Sequence, residues 1–131
     1  MPDKRPLVSV VDDDESVRES LPDLLREFGF KAQSFASAEE FLASESLDQT
    51  HVLVLDITMP GMSGPALQQE LRAQHRAIPI VFITAHADET VRHQLLEAGA
   101  VDVLFKPFTE SALLDAMTAA VRSNGSNGRM K

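Results

Sequence analysis

The chain contains no cysteine. Disulfides, thiolate zinc sites and cysteine nucleophiles are therefore excluded. Tryptophan and tyrosine are also absent, leaving seven phenylalanines as the aromatic residues. No mechanism that needs a phenol or an indole is open to it. Basic residues are few: 12 Lys and Arg stand against 20 Asp and Glu, a formal charge of −8. That balance argues against a broad grip on a nucleic-acid backbone. No apolar run approaches the roughly 20 residues that span a bilayer. The apolar stretch Leu7–Val11 meets an acidic cluster at once and is too short for a secretory signal. A cytoplasmic protein with no membrane partner is expected. Of the 131 residues, 44 % are hydrophobic. That suffices for one domain with one real core and is too apolar for disorder.

Short apolar runs alternate with amphipathic stretches. Leu7–Val11, Val52–Leu55 and Ile80–Ile83 are continuous and rich in Val and Ile, as strands buried on both faces of a parallel sheet should be. Val101–Phe105 is interrupted by Asp102 and is expected nearer an edge. Ala32–Phe35 mixes Gln33 and Ser34 with apolar residues and reads as a short edge strand. Between them, Val17, Leu21, Leu24, Leu25 and Phe28 form one helical stripe, with Pro22 expected to bend it and Gly29 to stop it. Ser37 and Glu40 read as a capping box for a short helix. Gly64 and Pro65 open a third helix, with Leu67 and Leu71 inward. Val91, Leu95 and Ala98 mark a fourth, closed by Gly99. Leu113, Met117, Ala120 and Val121 mark a fifth, capped by Thr109. Strand and helix thus alternate five times, which implies an α/β sandwich around a mostly parallel sheet. Residues 123–131, SNGSNGRMK, offer nothing to bury and read as a flexible tail or linker.

In a parallel sheet all strands end on one edge. After the first run come Asp12, Asp13, Asp14 and Glu15; after the third, Asp56; after the fourth, Thr84; after the fifth, Lys106 and Pro107. Ligands of open α/β sheets bind at that edge, beside the topological switch point. With strand order 2-1-3-4-5, Asp12, Asp13 and Asp56 become neighbours. Two carboxylates about 5 Å apart repel by roughly 3 kcal/mol at an effective dielectric near 20, so the cluster calls for a cation. An oxygen-only donor set suggests Mg²⁺. A carboxylate beside Mg²⁺, a Lys and a Thr hydroxyl makes a coherent phosphoryl-transfer site. Asp14 and Glu15 are better explained as acids at a helix N-terminus. The segment from Asp12 does not fit a calcium loop, because Val17 stands where Gly is required. His51, His75, His86 and His93 read as surface or loop residues. No nucleotide-binding glycine motif occurs.

VVDD (10–13), LVLDITMPGMSG (53–64), VFITAHAD (81–88) and AGAVDVLFKPF (98–108) together resemble the receiver domains of two-component response regulators. The resemblance covers about residues 6–122 and looks most like the nitrogen-fixation type, which often precedes a helix-turn-helix output domain. It implies a flavodoxin-like, doubly wound five-stranded parallel sheet of order 2-1-3-4-5 with five helices. It implies a receiver over residues 1–122, followed by a tail or linker over 123–131. Carried over residue by residue, Asp56 is the phosphoacceptor and Asp12 and Asp13 the acidic Mg²⁺ pair. Thr58 offers its backbone carbonyl to the metal, and Asp56 joins the ligands. Thr84 is the phosphate-sensing hydroxyl, Ala85 gives a backbone N–H to the phosphoryl group, and Lys106 binds phosphate ahead of a cis Pro107. The implied function is a phosphoacceptor switch rather than an enzyme. A histidine kinase loads it, and it dimerises through helix 4, strand 5 and helix 5. DNA is reached only through an output domain not present here. At one position the sequence departs from the family pattern: three residues before Lys106, where many receivers carry a rotating Tyr or Phe, stands Val103.

Two other readings compete. A stand-alone receiver module could dock on partner proteins. A haloacid-dehalogenase-type phosphohydrolase would also use Asp, Mg²⁺, Thr and Lys, but needs an acid two residues after the nucleophile. Thr58 occupies that position, so no general acid is supplied.

Overall fold

The structure is a computed structural model that describes residues 4–129, with side chains over 4–123. Five strands, β1 (Leu7–Val11), β2 (Lys31–Phe35), β3 (Val52–Asp56), β4 (Ile80–Thr84) and β5 (Asp102–Phe105), form one sheet of order β2-β1-β3-β4-β5. Every pairing is parallel. The helices are α1 (Glu15–Glu27), α2 (Ala38–Leu42), α3 (Gly64–Ala73), α4 (Glu89–Glu97) and α5 (Glu110–Arg129). A 3-10 turn over Glu45–Gln49 follows α2 and was not anticipated. This is the fold the sequence implies, with β2 and β5 at the two edges.

The continuous apolar strands are explained by two cores, one on each face of the sheet. Val8, Val10, Val54, Val81 and Ile83 pack with Leu21 and Leu25 of α1 and Leu113 and Met117 of α5. The alternate strand positions, Val11, Leu53, Leu55 and Phe82, pack with Phe41 of α2, Leu67 and Leu71 of α3 and Leu95 of α4. Side chains along a strand alternate faces, so both sets must be apolar. Ser9 is the polar exception in β1 and is fully buried. Its hydroxyl lies 2.7 Å from Thr50 Oγ1, which donates to the Ser46 carbonyl at 2.6 Å. Ser46 in turn donates to Gln33 Oε1. Buried hydroxyls without partners are costly, and this chain of bonds removes that cost.

Local signals set the helix ends. Asp14, Ser37, Ser63 and Asp88 cap α1 to α4, each side chain accepting a backbone N–H of the first turn. Thr109 Oγ1 accepts the Ala112 N–H at 3.0 Å at the start of α5. Gly29 and Gly99 follow α1 and α4 with φ of 100° and 110°, values an L side chain rarely adopts. α1 runs through Pro22 as a single helix over Glu15–Glu27. The helical backbone of α5 reaches Arg129, beyond the end read at residue 122. The last two residues of the expected tail, 130–131, lie outside the described residues.

Candidate functional site

The register fixes which strand ends meet. Val11 pairs with Leu55, Asp56 with Ile83 and Thr84 with Phe105. One residue further on, Asp12 N–H donates to the Phe35 carbonyl at 3.1 Å and Lys106 N–H to the Thr84 carbonyl at 2.7 Å. Asp12, Asp56, Thr84 and Lys106 therefore share the C-terminal edge, at the point where the chain order reverses between β1 and β3. They line a cavity of about 210 Å³ with Asp13, Thr58 and Ala85. All seven residues singled out from the sequence are brought together. Asp14 and His86 also border the cavity.

Asp12 is fully buried and extensively held. Its Oδ1 accepts the Asp14 N–H at 2.9 Å, and its Oδ2 accepts from Lys106 Nζ at 2.9 Å. Its backbone carbonyl accepts from the Arg18 guanidinium at 3.0 Å. Asp13 is exposed, Asp56 is buried, and one carboxylate oxygen from each of the three lies within 4.8 Å of the others. Burial pushes the Asp56 carboxyl from the ordinary carboxylate range up to about 7, and the negative charge of Asp12 adds to the rise. Lys106 and the Thr58 backbone N–H pull the other way without cancelling it. For Lys106, burial disfavours the charge, but the Asp12 hydrogen bond and the surrounding carboxylates outweigh burial and raise its pKa. Asp14 is lowered by its hydrogen bonds to the Ser16 hydroxyl and N–H, consistent with a capping acid.

Thr84 is buried with its Oγ1 accepting the His86 N–H at 3.1 Å. Ala85 and Thr58 are exposed at the rim. The Lys106–Pro107 peptide is cis. Val103 is buried beside Phe82 and Leu95, and the half-buried Phe105 packs on the same cluster. His93 pairs with Glu97 at 3.3 Å on α4, and His51 Nδ1 accepts the Leu7 N–H at 3.1 Å. Among the described residues no histidine joins a metal-capable cluster.

The donor set fits a hard divalent ion. It consists of carboxylates, one anchored deep and one facing solvent, and burial together with the charge of Asp12 raises the pKa of Asp56. Such a donor set suits a cation that keeps some of its water and shares phosphate oxygens.

Two features of the site escaped the sequence reading. Gly64 N–H donates to the Ile57 carbonyl at 3.0 Å, and a Cβ on Gly64 would lie 2.3 Å from the Asp56 carbonyl oxygen. The start of α3 thus packs against the backbone of Asp56 more closely than any other residue type permits. The second is Glu39 on α2, whose Oε2 accepts the Met62 N–H of the β3–α3 loop at 3.0 Å. Gly61 faces Glu39, which is remote in sequence, and the contact of Gly64 with Asp56 and Ile57 depends on how the loop between them folds back.

Comparison with known proteins agrees with this geometry. The family model of the response regulator receiver domain matches residues 8–118. The chain is 46 % identical over 114 residues to nodulation protein W of Bradyrhizobium diazoefficiens, covering 87 % of this chain and 50 % of that protein. It is 37 % identical over 132 residues to the transcriptional regulatory protein FixJ of Azorhizobium caulinodans, covering 100 % of this chain and 62 % of that one. The solved structure of the response regulator StyR superposes with a TM-score of 0.87 at 48 % identity, covering 96 % of this chain and 64 % of that one. The chain spans about half the length of the first curated relatives it matches.

A parallel five-stranded sheet with an acidic pocket and a lysine at its C-terminal edge defines a receiver-type signalling module. The chain belongs to the response regulator receiver domain family and is related to transcriptional regulators of two-component systems. Among the described residues no helix is long and apolar enough to cross a membrane.

Proposed function

We propose that this receiver accepts a phosphoryl group from a sensor histidine kinase onto Asp56, with Mg²⁺ as cofactor. The observation that carries the reading is the convergence of Asp12, Asp13, Asp56, Thr84 and Lys106 on one cavity from four separate strand ends. Asp12, Asp13 and Asp56 would hold the ion through carboxylates, and Thr58 through its backbone carbonyl. When bound, Mg²⁺ supplies the positive charge that favours ionised Asp56 and offsets charge on the phosphoryl oxygens.

The chain's own groups do the rest. Ionised Asp56 attacks phosphorus through a carboxylate oxygen. The bond from phosphorus to the kinase histidine breaks, and its electron pair leaves on the imidazole nitrogen. Lys106 and the Ala85 N–H donate to the phosphoryl oxygens, and Thr84 turns its hydroxyl toward one of them. The product adds only about one negative charge, since a phosphoryl of roughly −2 replaces a carboxylate. The output must therefore be conformational. It runs through Thr84 and the following loop to the α4–β5–α5 surface, where phosphorylation favours a homodimer. Residues 1–122 form the receiver, and residues 123–131 lead toward an output domain that would contact DNA in the cytoplasm. The twofold greater length of the curated relatives favours this over a stand-alone module. The domain catalyses only its own phosphorylation and slow dephosphorylation.

Incubation with Mg²⁺ and a small acyl phosphate, followed by intact mass measurement, tests the reading. One added phosphoryl group is expected, absent with chelator and absent in Asp56→Asn. An unmodified wild-type mass after prolonged incubation would overturn it.

A further inference from the structure

The loop over residues 57–63 joins the Asp56 end of β3 to α3 and carries Thr58 to the cavity. Its two ends are tied together, because Gly64 N–H bonds the Ile57 carbonyl and Gly64 abuts the Asp56 backbone. Its far side is held from another element. Glu39 Oε2 accepts the Met62 N–H at 3.0 Å. The same oxygen lies where a Cβ on Gly61 would come within 2.8 Å of it. Gly61 has φ of 75°, so the loop turns beneath the carboxylate in a conformation that favours glycine. The base of the clamp is rigid. α2 is fixed by the buried Phe41, which meets Phe35 edge-on with ring centroids 5.5 Å apart, and by the Ser37 cap. The bond joins residues 23 apart in sequence.

We propose that Glu39 is a positioning residue for the cation site. By clamping the Met62 N–H over Gly61 it holds the Thr58 segment where its carbonyl can reach the ion, so α2 sets part of the Mg²⁺ affinity. This rests on the Mg²⁺-dependent reading above. The bond needs an acceptor oxygen at that reach and not a negative charge, so Glu39→Gln retains it and Glu39→Ala removes it. Glu39 is exposed, so neither substitution empties the core.

Mg²⁺ titration by calorimetry on the wild type and both variants tests the proposal, alongside hydrogen exchange of the Met62 amide in Mg²⁺-free buffer. Glu39→Ala is expected to bind Mg²⁺ about threefold to tenfold more weakly, the range one net hydrogen bond corresponds to, and to lose protection at Met62. Glu39→Gln is expected to stay within about twofold of the wild type and to keep that protection. Wild-type affinity in Glu39→Ala would overturn the proposal, as would equal weakening in both variants. A wild type that binds no Mg²⁺ would instead overturn the reading of the site itself, and the role of Glu39 with it.

Discussion

Lys106 Nζ lies 2.9 Å from Asp12 Oδ2, so the lysine is bonded to the deepest carboxylate of the pocket and not to the proposed phosphoacceptor. Asp12 is fully buried and the lysine side chain is only 20 % exposed. Strand ends 94 residues apart are joined by this pair. A buried charge left without its partner is expensive, more so than the intact pair is favourable. The pair therefore keeps Asp12 tolerable in the unphosphorylated state. On the proposed reading, Lys106 would turn from Asp12 to a phosphoryl group on Asp56.

Removing the lysine exposes that dependence. Lys106→Met in Mg²⁺-free buffer at pH 8 is expected to lose about 3 kcal/mol of stability, read as a lower denaturant midpoint with unchanged slope. Mg²⁺ should restore part of the loss by supplying another cation to Asp12. An unchanged midpoint would show that the pair carries no weight.

Asp56 gives the stability a pH dependence of definite sign. Its folded pKa of about 7 lies above its ordinary value of 3.8, so between these two pH values the folded state holds a proton that the unfolded state has released. Stability is then fully present below pH 3.8 as far as this group is concerned, falls as pH rises, and levels off above about 7. The upper bound of the loss is about 4 kcal/mol. Asp56→Asn should be more stable than wild type at pH 8 without Mg²⁺, with the difference vanishing toward pH 4 in paired thermal melts. Because proton and cation compete for the same carboxylate, Mg²⁺ should raise the melting temperature of the wild type more at pH 8 than at pH 5. Equal shifts at both values would contradict the acidic character assigned to the pocket.

The contact of Gly64 with the Asp56 backbone is equally testable. Gly64→Ala places a carbon 2.3 Å from the Asp56 carbonyl oxygen and 3.0 Å from Ile57 Cα, and backbone atoms cannot give way cheaply. A cost of about 1–3 kcal/mol is expected, together with slower phosphorylation because Asp56 itself is displaced. Gly29→Ala, with open space around its Cβ but φ of 100°, should affect stability alone. Comparing phosphorylation rates of the two variants separates displacement of the site from loss of stability.

The strand runs made the sheet legible because both of its faces are buried, so Leu53, Val54 and Leu55 all had to be apolar. The pocket was legible for a related reason. Parallel strands gather their C-terminal ends; Asp56 and Thr84 end β3 and β4, and Asp12 and Lys106 directly follow β1 and β5. Partner choice was not legible. Nothing local tells Lys106 to bond Asp12, since that depends on depth and angle within the folded edge. The Ser9–Thr50–Ser46–Gln33 chain was hidden for the same reason, and Ser9 stood in an apolar run with no sign of its partner. Nothing in the sequence around Glu39 singles it out, and only the folded loop gives it a backbone N–H to accept. The end of α5 was misplaced because Asn and Gly are weak helix formers, whereas a helix propagates cooperatively from a packed stretch such as Leu113–Val121.

The central claim is that one carboxylate, Asp56, receives the phosphoryl group because the other two are arranged around a cation. Its most direct test is peptide mapping after Mg²⁺-dependent phosphorylation, with hydroxylamine cleavage marking the acyl phosphate. The expected result is a single modified site at Asp56, with Asp12 and Asp13 unmodified. Phosphoryl on Asp12, Asp13 or a hydroxyl side chain, with Asp56 left free, would contradict the claim.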